Sequence, residues 1–74
     1  MLNAKMAAYA RVLEEKAYLE QKTEKLSQFI KEVKRGEKSV DELDKTDLEL
    51  LEEQLHYMNG YLRVLNQRIA RTSS

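Results

Sequence analysis

The chain has 74 residues and a formal net charge of zero, from 13 Lys and Arg against 13 Asp and Glu. Zero net charge gives no overall pull toward nucleic acid or an anionic membrane. The absence of cysteine excludes a disulfide or a thiolate metal site, and a single histidine, His56, excludes a two-histidine zinc site.

A core of this size is marginal without a staple, so regular helix packing and oligomerisation are the remaining routes to stability. Charged residues make up 35% of the chain, Pro is absent and Gly occurs twice, a composition that belongs to helix bundles and coiled coils. No apolar run approaches the ~20 residues of a membrane span, and the N-terminus lacks the apolar stretch of a signal peptide. The expectation is a soluble, cytoplasmic protein with no membrane partner and no cofactor.

The first periodic segment predicts a helix over about residues 3–35. Its apolar stripe runs through Leu2, Tyr9, Val12, Leu19, Leu26, Ile30 and Val33, with Lys16 and Thr23 interrupting it. Met6, Leu13 and Phe29 flank the stripe. KRG at 34–36 supplies cations for the last turn and a glycine for the left-handed position beyond it.

The connector, residues 36–46, contains a possible capping box from Ser39 to Glu42. Val40 and Leu43 would then belong to one helical turn closing the hairpin. TDLE at 46–49 predicts the next helix start, with Thr46 as N-cap and Glu49 reaching back.

The second helix is predicted over about residues 47–71, followed by a frayed TSS tail. Leu48, Leu51, Leu55, Met58, Leu62, Leu65 and Ile69 form a clean heptad seam. Gly60 lies inside this helix, away from the seam, where it costs ~1 kcal/mol against alanine. It is either a tolerated surface glycine or a point of close approach by another chain or a ligand.

A short connector makes the helices antiparallel neighbours, so the predicted fold is all-α, one long helical hairpin spanning residues 1–74. Pairing Val33 with Leu48 sets Leu26 against Leu55, Thr23 against Met58, Lys16 against Leu65 and Val12 against Ile69. The second helix carries a further stripe, Leu50, Tyr57 and Val64, seven residues apart. With Met6, Leu13 and Phe29 this apolar surface exceeds what one partner helix covers. The chain is therefore expected to pair with itself in a homo-oligomeric bundle, against the alternative of a monomer with exposed apolar residues.

Three roles compete for Lys16. Its stem can pack on the seam while the ammonium reaches water. It can fix register or oligomer state. It can also line a pocket between subunits and meet an anion. In the derived register it lies near Tyr61 and Arg68, with Tyr9, Arg11 and Tyr18 about a turn away. Interleaved cations and aromatic rings suit a nucleotide, through phosphate contacts and base stacking. The candidate ligand residues are thus Tyr9, Arg11, Lys16, Tyr61 and Arg68. Tyrosines at helical spacing equally suit interface packing. Thr23 is read as a spacer whose hydroxyl bonds back within its own helix.

Nothing in the sequence arranges a nucleophile with a base, and there is no phosphate loop, so no enzyme is expected. Sequence-specific DNA binding is not expected either, since no strongly basic face stands out.

The pattern KxxKLxxFI (Lys22, Lys25, Leu26, Phe29, Ile30) precedes LLxxQLxxMxxYLxxLxxRI (Leu50, Leu51, Gln54, Leu55, Met58, Tyr61, Leu62, Leu65, Arg68, Ile69). This resembles a family of short tailed-phage proteins named after a crAss-like phage reading frame, over residues 13–69. The resemblance implies a phage-encoded hairpin in the cytoplasm of an infected bacterial host, and no catalytic residue. By analogy with other small phage proteins it suggests counter-defence. One form is sequestration of a cyclic nucleotide signal. The alternative is inhibition of a host protein, through the face of Leu50, Tyr57 and Val64 or the acidic patch Glu49, Glu52 and Glu53. A purely structural oligomerisation module is a third reading.

Overall fold

Two long runs without proline give two long helices. The computed structural model describes residues 4–36 and 43–73. Helix α1 covers Ala4–Lys34 and helix α2 covers Lys45–Ser73, and they pack side by side as an all-helical hairpin. The hairpin is a rod of 53 × 18 × 16 Å.

Helix α1 stops where its sequence says it should. Lys31 and Lys34 lie in its last turn. The Arg35 N–H donates to the Lys31 carbonyl at 3.0 Å and the Gly36 N–H to the Val33 carbonyl at 3.1 Å. Gly36 has φ +76°, a left-handed conformation that favours glycine and turns the chain out of the helix.

Helix α2 starts earlier than the TDLE signal suggests. Asp44 is the N-cap: the Asp47 N–H donates to its Oδ1 at 2.8 Å, and the Asp44 N–H donates to Asp47 Oδ2 at 3.2 Å. The first helical bond follows, from the Leu48 N–H to the Asp44 carbonyl at 3.1 Å. This is a reciprocal capping box built from two aspartates, with Thr46 exposed inside the first turn. The helix also runs past residue 71: Thr72 is helical, and its hydroxyl donates to the Arg68 carbonyl at 3.0 Å. Leu43 is half-buried and non-helical. The remainder of the expected connector turn, from Ser39 to Glu42, lies outside the described residues.

The core is one thin seam. Val12, Ile30 and Leu65 are its buried apolar side chains, with Leu65 the deepest at 1% exposure. Burying a leucine that far stabilises by ~1.5–3 kcal/mol. Leu19, Leu26, Leu48, Leu51, Leu55, Met58 and Leu62 are half-buried along the same line. Thr23 sits in the seam, buried, and its hydroxyl donates to the Leu19 carbonyl at 2.6 Å. That bond satisfies the polar atom without a partner from α2, as the back-bonding reading requires. On one flank Lys34 Nζ lies 3.0 Å from Glu52 Oε1, joining the helices near the closed end.

Candidate functional site

Helical geometry decides which candidate residues can meet. Tyr9 and Arg11 are two positions apart, about 200° around the axis, so they point to opposite flanks of α1. Tyr9 is half-buried and Arg11 exposed. Lys16 is half-exposed, and its ammonium lies 3.6 Å from Glu20 one turn on. A side chain only 35% exposed with its ammonium paired at the surface fits the snorkelling arrangement.

Tyr61 is the residue where the clefts of the hairpin meet. On one side it lines a cleft of about 360 Å³ between the helices, together with Tyr18, Leu19 and Lys22 of α1 and Gln54 and Met58 of α2. Lys22 Nζ sits 4.7 Å from the centroid of the Tyr18 ring, a cation–π contact on the rim of that cleft. On the other side Tyr61 borders a shallow groove of about 630 Å³ with Arg68, Arg63, His56 and Gly60. His56 and Tyr57, beside it, stack edge to face with centroids 5.6 Å apart. Small-molecule sites occupy ~300–1,000 Å³, so each cleft has the size of one, though both are open to solvent.

Of the five sequence candidates, one hairpin brings Tyr61 and Arg68 together. Tyr9, Arg11 and Lys16 do not line either cleft. The residues that do join Tyr61 are Tyr18 and Lys22 across the helix pair, and Arg63 on α2. The signal for Tyr18 and Lys22 was present as an aromatic and a cation four residues apart on one flank. What sequence spacing could not supply was which flank of α1 lies beside Tyr61.

Chemically, the arrangement offers ring faces for stacking and ammonium or guanidinium groups for an anion. Among the described residues no cluster of His, Asp and Glu could hold a metal ion, and no helix is long and apolar enough to cross a membrane.

The fold is a small helical hairpin that carries aromatic and cationic side chains along two open clefts. The model of the Sequestin family matches residues 6–71, nearly the whole hairpin, and the chain belongs to that family. No curated protein and no solved structure matches it.

Proposed function

We propose that this chain is a non-enzymatic phage accessory protein that counters host antiviral defence by sequestering a small anionic signal of the cyclic-nucleotide type. The ligand sits in pockets completed between copies of the chain. The observation that carries this reading is Tyr61 in the cleft between the helices, beside Tyr18 and Lys22, with Glu15 also on its lining. A base stacks on tyrosine, and stacking of one base on an aromatic ring is worth ~1–3 kcal/mol. The Lys22 ammonium neutralises phosphate through a charge-assisted hydrogen bond. Membership of a family named for sequestration supports the same reading. A cleft open to solvent needs further walls to enclose a ligand, which a second copy supplies.

The test is a thermal-shift screen against cyclic dinucleotides, cyclic trinucleotides and ADP-ribose derivatives. A ligand at 100 times its dissociation constant adds ~2.7 kcal/mol of stability per site. Tyr61→Ala and Lys22→Ala are expected to abolish the shift without unfolding the protein. Lys16→Ala is expected to keep it, since Lys16 faces Glu20. No shift across the panel, or a shift untouched in the Tyr61 and Lys22 variants, would remove the cleft as the site.

A further inference from the structure

The hairpin leaves one face of α2 bare. Leu50, Tyr57, Tyr61 and Val64 are apolar and exposed, at 58%, 66%, 48% and 46%. Residues 53, 57, 60, 61, 64 and 68 follow one another in steps of one, three and four along the same helix side. Glu53 therefore stands one turn in from Leu50 toward one end of the stripe, Arg68 toward the other and Gly60 near its middle.

Gly60 has no explanation inside the hairpin. A methyl group there would meet nothing within 4 Å, and its backbone is ordinary helix. Alanine would fit and would favour the helix. A glycine on an exposed apolar stripe makes sense where something large packs on bare backbone.

The surface area points the same way. The chain exposes 6040 Å². A compact monomer of its 8.7 kDa is expected to expose about 4,700 Å². The excess, about 1,300 Å² spread over both helices of the rod, leaves room for the ~800 Å² that one partner contributes to a standard interface.

We propose that this face of α2 packs antiparallel against the same face of a second copy, about a two-fold axis lying between Gly60 and Tyr61. In that register Tyr61 of each copy lies over Gly60 of the other, Tyr57 faces Val64, Glu53 faces Arg68, and Leu50 faces the aliphatic stem of Arg71. Each of these relations occurs twice, as an isologous interface requires. A parallel pairing would instead set Glu53 against Glu53 and Arg68 against Arg68. The charge order along the stripe thus selects the antiparallel arrangement. The proposal deepens the sequestration reading by naming the face the copies share, and the mass of the ligand-free protein tests it independently of binding.

The experiment is sedimentation velocity on the full chain without nucleotide, across a concentration series. The wild type is expected as a dimer or an even multiple of the chain. Glu53→Arg alone and Arg68→Glu alone each turn two attractions into two repulsions, and are expected to weaken association about tenfold or more. The double variant Glu53→Arg with Arg68→Glu restores opposite charges and is expected to return wild-type association. Gly60→Leu is expected to weaken association while circular dichroism keeps its helical signal. A monomeric wild type, or single and double swaps that associate equally, would overturn the proposal. A monomer that still binds nucleotide would overturn this face and leave the Tyr61 cleft standing.

Discussion

Helix α2 has two apolar faces that meet different fates. Its inner face, centred on Leu65, packs against α1 and reaches 1% exposure at its deepest point. Its outer face, centred on Tyr57 and Val64, is apolar at the same seven-residue spacing and remains exposed. The period alone does not separate them, since both faces repeat every seven residues. The difference lies in what the chain itself supplies: α1 covers one stripe, and an antiparallel pair of helices has no third member to cover the other.

The largest test of that contrast is the same truncation on each face. Leu65→Ala is expected to cost ~2–5 kcal/mol, because it opens a cavity in a seam with few other buried side chains. In a rod this thin that loss is expected to leave a substantial unfolded fraction at room temperature. Tyr57→Ala removes a larger side chain from the outer face. The unfolding free energy of the isolated hairpin is expected to move by no more than ~0.5 kcal/mol. Its effect is expected in the mass of the assembly instead. Urea denaturation at low protein concentration, beside sedimentation, separates the two. An outer-face truncation that unfolds the hairpin would mean that the two faces do not divide folding from association.

A middle-sized effect belongs to the helix ends. Asp44→Ala removes the acceptor for the Asp47 N–H and is expected to destabilise the hairpin by ~1 kcal/mol without changing subunit mass. Thr46→Ala is expected to have little effect, since Asp44 rather than Thr46 caps α2. Denaturation midpoints for the two variants decide between the overlapping start signals.

Those overlapping signals show how much was legible beforehand. The hairpin, its end at Gly36 and the back-bond of Thr23 follow from local rules: a period, a glycine after a cationic turn, and a hydroxyl one turn from a carbonyl. The start of α2 was legible only to within a few residues, because Asp44 with Asp47 and Thr46 with Glu49 are both valid capping pairs. Which one operates depends on how the connector delivers the chain. Of the five candidate ligand residues, spacing alone places only Tyr61 and Arg68 along one groove. Tyr61 and Arg68 share a helix side, so their meeting follows from spacing. Tyr18 and Lys22 depend on which flank of α1 lies against α2, which is tertiary. Lys16 drew attention by interrupting the seam, and within one hairpin its ammonium pairs with Glu20 one turn on.

The smallest expected effect compares two exposed charge pairs, one beside each face. Lys34 and Glu52 join α1 to α2 at 3.0 Å, with both side chains about half exposed. A double-mutant cycle with Lys34→Ala and Glu52→Ala is expected to give a coupling of ~0.2–1 kcal/mol in hairpin unfolding. That coupling should shrink as salt is raised, because solvent reaches both groups. The same cycle on Glu53 and Arg68 is expected to show no coupling in unfolding of the dilute chain, and a measurable one in association. The two residues lie fifteen positions apart on one helix, ~22 Å at its rise per residue, too far to pair within a copy. Coupling between them can then come only from a second chain. Equal coupling of both pairs in unfolding of the dilute chain would remove the charge argument for the outer face.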